Sequence, residues 1–154
     1  MKKSEAIQSF WGGFCAVSKV DPNGPYQSWF FGNSSAMARE LAELVISGKK
    51  FATASLAEAN ELQPDEAPVA DGYSVVTDFE GNPRCVIQTT EIRHVPFNEV
   101  DAQFASDEGE GDQSLEYWRR AHSEYFSKEA PQLGIVFNET SMICCERFIL
   151  RFVR

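Results

Sequence analysis

Two β-rich runs separated by a short turn constrain the fold of this chain more than any other feature. The runs are Tyr73 to Phe79 and Arg84 to Val95, and turn-forming residues, Glu80-Gly81-Asn82-Pro83, join them. Strands joined by so short a turn are antiparallel, because a parallel pair needs a crossover of a dozen or more residues. The sequence therefore predicts a β-hairpin at the centre of an at least partly antiparallel sheet.

Two more strands are predicted outside the hairpin. Phe51 to Leu56 has strand character, and Met142 to Val153 alternates apolar residues with Arg147 and Arg151. The aromatic stretch that contains Tyr26 and Phe31 lies between turn formers and is predicted to be an irregular loop. With the hairpin these are four predicted strands, and we expect the whole sheet to have about five to six, mostly antiparallel.

Three helices are predicted around the sheet. Apolar residues recur at helical spacing from Ser4 to Val17, from Ser34 or Ser35 up to Gly48, and from Ser114 to Pro131. The acidic, Pro-containing segment from Glu58 to Asp71 is predicted to be a loop, as is the acidic, glycine-rich segment from Ser106 to Asp112. A helical turn is predicted from Asn98 to Phe104.

Helices and strands without strict alternation predict an α+β fold, with a curved or barrel-like sheet and about three flanking helices. A length of 154 residues is near that of one domain, so we expect residues 1–154 to form a single domain, with residues 1–25 as a helical and loop extension packed on it. We expect no signal peptide and no membrane helix. The four cysteines form no C-x-x-C pair and are predicted to be reduced, structural thiols in the cytoplasm.

The net charge of −9 bears on which ligands the chain binds. A surface of that sign repels a polyanion unless basic groups are gathered into one patch. Binding to duplex DNA is therefore disfavoured, whereas binding of a small ligand the size of a nucleoside is unaffected.

The segment Gly48-Lys49-Lys50-Phe51-Ala52-Thr53 is the strongest candidate for a functional site. Lysines after a helix have an ordinary explanation, since cations stabilise its negative end by about 0.3–1 kcal/mol. In a regular strand, Lys50 and Thr53 would lie on opposite faces, because they are three positions apart. They share a site only if the chain turns or bulges at Lys50 and Phe51.

The same segment has the pattern G-x-K-x-x-T, and here the chain resembles the ASCH domains, in particular their long bacterial form. The resemblance covers residues 26 to 150 and includes Trp29-Phe30-Phe31-Gly32, Leu41-Ala42-Glu43-Leu44-Val45, Ala52-Thr53-Ala54-Ser55, Thr77-Asp78-x-x-Gly81-x-Pro83, Phe104-Ala105-x-x-Glu108-Gly109-Glu110-Gly111-Asp112, Tyr117-Trp118-Arg119-x-x-His122 and Cys145-Glu146-Arg147-Phe148.

The resemblance implies a PUA-like small β-barrel whose cleft suits RNA or a modified nucleoside. Smaller ASCH relatives hydrolyse N4-acetylcytidine with a Thr, a Lys and a Glu, which match Thr53, Lys50 and Glu108. A ribonuclease is also found in the family, so the resemblance does not fix one reaction.

Two versions of the amide hydrolysis are open. In one, Thr53 attacks the acyl carbon and a neutral Lys50 is the base, although a carboxylate at Glu108 would keep Lys50 charged. In the other, Glu108 is the base and the charged Lys50 stabilises the oxyanion.

Other residues are expected to contact the ligand rather than react with it: Trp29, Phe31, Lys49, Ser55 and Arg147. Aromatic residues stack on bases in RNA-binding modules, although such clusters more often belong to a core. His122 lies on the apolar stripe of its helix and is predicted to be a packed, hydrogen-bonded histidine. We expect no metal and no cofactor.

The expected function is hydrolysis of the amide of an acylated or modified pyrimidine nucleoside. The alternatives are an RNA- or modified-nucleotide-binding module without catalysis, and a ribonuclease that uses the same cleft. The expected partners are a small nucleoside or single-stranded RNA.

Overall fold

The computed structural model describes residues 3–153 of the chain and shows an α+β fold. In chain order its elements are α1 (Glu5–Ser18), β1 (Gln27–Trp29), α2 (Ser35–Ile46), β2 (Ala52–Leu56), α3 (Ala57–Leu62), a 3-10 turn (Pro64–Glu66), β3 (Tyr73–Thr77), β4 (Pro83–Pro96), a second 3-10 turn (Phe97–Glu99), α4 (Ala102–Glu108), α5 (Leu115–Gln132) and β5 (Met142–Val153).

The five strands form one sheet in the order β1-β3-β4-β5-β2. Every pair is antiparallel except β1 and β3, which are parallel. The pairing of β4 with β5 shifts register twice, between Val86 and Ile87 and between Thr89 and Glu91. Such irregularities bend strands, and the sheet curls into a half-barrel with β1 and β2 at its two free edges. The predicted hairpin and the α+β class are confirmed.

Hydrogen bonds to side chains fix where the helices begin. Ser4, Ser34, Asp101 and Ser114 each accept a backbone N–H from the first turn of α1, α2, α4 and α5, respectively. The three helices that the apolar spacing predicts are α1, α2 and α5. None of the helices within residues 3–153 combines the length and the apolar character needed to span a bilayer.

Three apolar clusters hold the helices on the sheet. Phe10, Trp11 and Phe14 of α1 pack on β3 and β4. Ala42 and Val45 of α2 pack with residues of the sheet that include Phe148. The largest cluster joins α4 and α5 to β2 and β5. The helices therefore cover both faces of the curled sheet, and a cleft is left beside its free edges.

The structure differs from the sequence-based expectation in three loops. Gln27–Trp29 is a short edge strand rather than irregular loop. The predicted loop from Glu58 to Asp71 begins inside a helix, Ala57–Leu62, because Ala57 and Ala59 are buried against the sheet. Helix α4 extends to Glu108, into the predicted acidic loop, because Phe104 and Ala105 are buried on one of its faces.

Candidate active site at the seam of the half-barrel

The candidate site lies at the seam, the gap between the free edges β1 and β2. A cavity of about 200 Å³ is lined from β1 by Gln27 and Trp29 and from β2 by Thr53 and Ser55. A second cavity of about 140 Å³ contains Lys50 in its wall. The two cavities adjoin, since they share the lining residues Phe31, Gly32, Thr53, Ala54 and Tyr125, and together they are called the cleft.

Lys50 enters this cleft because the chain turns between α2 and β2. Gly48 has a φ of +83°, and the backbone N–H groups of Lys49 and Lys50 both donate to the carbonyl of Leu44 at 3.0 Å. Lys50 therefore precedes the regular strand, which begins at Ala52. Because of this turn, Lys50 and Thr53 line the same cavity although they are three positions apart.

The ammonium group of Lys50 is buried and fully hydrogen-bonded. Its Nζ donates to the Ala52 carbonyl at 2.8 Å, to Oε1 of Glu108 at 2.9 Å and to Oε2 of Glu110 at 2.6 Å. Burial opposes the positive charge, but the two carboxylates outweigh it and raise the pKa of Lys50 above its ordinary value. Lys50 is therefore charged, which disfavours the version in which it is a neutral base.

Glu108 is as deeply buried as Lys50, and both side chains are 1% exposed. Its second oxygen, Oε2, accepts from Nε1 of Trp118 at 2.5 Å and lies 3.2 Å from Nε2 of His122. Burial favours the neutral acid, but the charges of Lys50 and His122 outweigh it and hold the pKa of Glu108 well below its usual range. Glu108 therefore anchors Lys50 and is a poor proton acceptor, which weakens the version in which it is the base.

His122 completes the buried network. Its Nδ1 lies 2.9 Å from the Trp118 carbonyl, while Nε2 faces Glu108, so each ring nitrogen meets an oxygen acceptor. Only the imidazolium form donates to both, and Glu108 raises the pKa of His122 although burial lowers it. The ring also stacks on Trp118 at 4.2 Å. The prediction of a packed, hydrogen-bonded histidine agrees with this arrangement.

The end of α4 and the loop that follows it bring the two carboxylates to Lys50. Gly109 has a φ of +70°, and a Cβ atom there would lie 2.2 Å from the Lys49 carbonyl oxygen. Phe51 N–H also donates to the Asp107 carbonyl at 3.0 Å. This close approach of two backbones requires glycine, and it explains how residues almost 60 positions apart in sequence meet.

Sequence reasoning missed Glu146 as a residue of the site. It pairs with Thr53 across β5 and β2, and both side chains line the larger cavity. Burial raises the pKa of Glu146, while a hydrogen bond from Thr89 and the charge of Lys50 partly oppose the rise. The sequence signal that could have identified Glu146 is its acidic side chain within the largely apolar strand β5.

The structure brings some of the expected ligand contacts to the seam and leaves others outside. Trp29, Phe31 and Ser55 line the larger cavity. The side chain of Lys49 is exposed and lines neither cavity. Arg147 also lies outside the cleft, because it pairs with Ala52 and so points to the opposite face of the sheet from Glu146. There its guanidinium binds Asp107 at 2.9 Å and Glu91 at 2.7 Å.

Glu108, Glu110 and His122 place possible metal ligands within 4.8 Å of one another. The ammonium of Lys50 already lies between the two carboxylates, and both nitrogens of His122 face oxygen atoms. The charges in this group are thus balanced by residues of the chain itself.

Comparisons with known proteins bear on the fold and the family. The family model for the ASCH domain matches residues 27–151. The structure of an ASCH domain from Lactobacillus crispatus JV V101 has 31% sequence identity and a TM-score of 0.88, over 97% of this chain and 96% of that one. A protein from Enterococcus faecalis V583 has 30% identity and a TM-score of 0.85, over 95% of this chain and 88% of that one. A search of curated proteins gives no significant match. With a family model matched over most of its length, the chain belongs to the ASCH domain family.

Proposed function

We propose that this protein is an amidohydrolase that removes the acyl group from an acylated pyrimidine nucleoside such as N4-acetylcytidine. The observation that carries the proposal is the buried ammonium of Lys50 in the same cavity as Thr53. Within residues 3–153 the Thr53 hydroxyl forms no hydrogen bond, although it lines both cavities of the cleft. A free hydroxyl that shares a cavity with a fixed cation suits acyl transfer, because the hydroxyl can attack the acyl carbon and the cation can stabilise the oxyanion.

Lys50 is the group that stabilises the oxyanion. All three of its N–H bonds are occupied, but its partners differ in how firmly they are held. Glu108 is 1% exposed, whereas the Glu110 side chain is 19% exposed and belongs to a loop. Burial and the neighbouring Glu108 raise the pKa of Glu110, although Lys50 lowers it, so Glu110 is the carboxylate that leaves Lys50 more easily. In the substrate complex, the acyl oxygen takes the place of Glu110.

The charge of the cleft favours a neutral ligand. Glu66, Glu129 and Glu146 line the larger cavity, and the charge of Lys50 is already matched by two carboxylates. A phosphodiester would meet these acids without an unpaired cation in the same walls. An acylated nucleoside carries no such charge and offers a planar aromatic base, on which aromatic side chains such as Trp29 and Phe31 in the cavity lining can stack.

The second candidate is binding of single-stranded RNA without catalysis. ASCH domains are thought to bind RNA, and the aromatic pair Trp29 and Phe31 lines the larger cavity, with ring centroids 4.8 Å apart. RNA binding that depends on phosphate contacts weakens steeply with salt. The net charge of −9 makes this candidate the weaker one.

We further propose that residues 1–154 act as one domain with residues 1–25 as an extension. Helix α1 supports this, because Phe10, Trp11 and Phe14 pack on β3 and β4. Met1 and Lys2 lie outside the described residues. We propose the cytoplasm as the site of action, since all four cysteines are free thiols.

The test is release of the free carboxylic acid from N4-acetylcytidine by the wild-type protein and by Lys50→Ala. Lys49→Ala is the matched control, because it removes a neighbouring lysine whose side chain is exposed. We expect hydrolysis by the wild type and the control, and none by Lys50→Ala. Retained activity in Lys50→Ala would remove Lys50 from the mechanism. A wild type that is inert toward acylated nucleosides but retards single-stranded RNA at low salt would replace this proposal with the binding function.

A further inference from the structure

We propose that Glu146 is the general base and acid of the reaction, the group that takes the proton from Thr53 and returns it to the leaving amine. This inference rests on the proposed amidohydrolase function and goes beyond it by assigning the proton transfers to a residue outside the G-x-K-x-x-T pattern. It depends on the position of Glu146 across the sheet from Thr53.

The register of the sheet brings the two side chains together. Thr53 and Glu146 are directly paired between β2 and β5. Side chains paired in this way have Cβ atoms about 4.5–5.5 Å apart and lie on the same face of the sheet. Both line the cavity of about 200 Å³. A carboxylate oxygen of Glu146 is therefore within reach of the Thr53 hydroxyl, directly or through one water molecule.

Hydrogen bonding leaves one oxygen of Glu146 available for this task. Oε2 accepts from the Thr89 hydroxyl at 2.5 Å, which fixes the orientation of the carboxylate. Within residues 3–153, Oε1 forms no hydrogen bond, and it is not one of the fully buried polar atoms that lack a partner, so it is accessible to solvent. Oε1 is therefore open to the cleft.

The other acids near the cleft are less suited to the role. Glu108 accepts hydrogen bonds on both of its oxygens from groups that are themselves fixed. Glu110 lines the smaller cavity with Lys50 but not the cavity of about 200 Å³ that Thr53 and Glu146 share. Glu129 lines the same cavity from α5 and is not a strand neighbour of Thr53. Burial also gives Glu146 a raised pKa, and a base whose pKa is nearer to the working pH transfers protons more efficiently.

The proton transfers balance in two half-reactions. Thr53 Oγ forms a bond to the acyl carbon while its proton passes to Glu146; the C–N bond then breaks, and the leaving nitrogen takes that proton. Water next attacks the acyl-threonine ester and gives a proton to Glu146. The ester C–O bond breaks, Thr53 Oγ takes the proton back, and the free acid is released.

The test compares Glu146→Gln with the matched control Glu129→Gln, using the rate of N4-acetylcytidine hydrolysis from acid to alkaline pH. Gln keeps an oxygen that accepts from Thr89, so we expect Glu146→Gln to fold, and a thermal unfolding curve verifies this. The charged and titratable groups that face Glu146 around the cavity are Lys50, Glu66, Tyr125 and Glu129. The control removes one of these charges and leaves the base in place.

We expect kcat to fall by about 10²–10⁴-fold in Glu146→Gln, the usual contribution of a general base. The decline of the wild-type rate at acid pH should disappear in this variant and persist in Glu129→Gln. In Glu146→Ala, added formate should restore part of the rate, because it supplies a carboxylate at the same place.

Three results would overturn the inference. A Glu146→Gln variant with wild-type kcat and an unchanged pH profile refutes the role of Glu146, while the wild-type activity keeps the proposed function standing. Equal losses in Glu146→Gln and Glu129→Gln reduce Glu146 to one charge among several. An inert wild type refutes both the function and the role.

Discussion

Replacing Lys50 with Met tests whether the buried network holds the site together. Met is similar in length and apolar, so the change removes the ammonium and leaves the volume nearly filled. The Lys50 and Glu108 side chains are each 1% exposed and lie 2.9 Å apart. Removal of one partner from such a pair costs about 3–5 kcal/mol, because the other charge stays buried.

The structure indicates the lower end of that range. In Lys50→Met, Glu108 still accepts from Trp118 and faces the imidazolium of His122, and Glu110 is free to turn toward solvent. We therefore expect a loss of about 3 kcal/mol in the free energy of unfolding measured with urea. In a chain of this size this is a fall in Tm of roughly 6–12 °C.

Lys128→Met is the control. Lys128 pairs with Glu124 at 3.3 Å, but their side chains are 66% and 69% exposed, so the expected change is within about 0.5 kcal/mol. In the double variant Lys50→Met/Glu108→Gln, the loss should be smaller than the sum of the two single losses, because the two residues are in direct contact. A Lys50→Met variant as stable as the Lys128→Met control would refute the reasoning.

Three further predictions concern His122, Gly109 and RNA. The pKa of His122 is raised above 6.5 in the folded state, so its stabilising contribution is complete below pH 6.5 and is lost as pH rises through the folded-state pKa. Urea unfolding should show this loss of stability in the wild type and not in His122→Gln. An identical pH dependence in the two proteins would contradict the prediction. Gly109→Ala should destabilise the protein by about 1–3 kcal/mol more than Gly48→Ala, because both residues have positive φ but only Gly109 would bring a Cβ atom to 2.2 Å from a backbone oxygen. Equal melting temperatures would refute this. Any retardation of single-stranded RNA should be weak and should vanish between about 50 and 200 mM salt, and tight binding that survives the higher salt would contradict the preference for a neutral ligand.

The fold was largely predictable because its strongest signals are local. The turn at Glu80-Gly81-Asn82-Pro83 and the apolar stripes of α1, α2 and α5 depend on neighbouring residues only. The short helix Ala57–Leu62 was missed because its stability comes from Ala57 and Ala59, which are buried by contacts distant in sequence. The acidic, Pro-containing composition of this segment indicates a loop and does not reveal that burial.

The candidate site could be proposed from the sequence where a motif carries it, but not where the strand register decides which side chains meet. Lys50, Thr53 and Glu108 follow from the resemblance, and the structure places them around one cavity. Glu146 and Arg147 are neighbours in sequence but point to opposite faces of β5. Which of the two side chains faces the cleft depends on which residue pairs with Thr53, and this strand register cannot be read from a single sequence.

The most direct test of the central claim is the rate of acetate release from N4-acetylcytidine by the wild type, Thr53→Val and Thr53→Ser. Val replaces the hydroxyl of Thr53 with a methyl group and keeps the shape of a half-buried side chain that forms no hydrogen bond within residues 3–153, so the fold should not change. The account predicts hydrolysis by the wild type, a rate at background in Thr53→Val and retained hydrolysis in Thr53→Ser. A wild type without activity, or a Thr53→Val variant as active as the wild type, would contradict it.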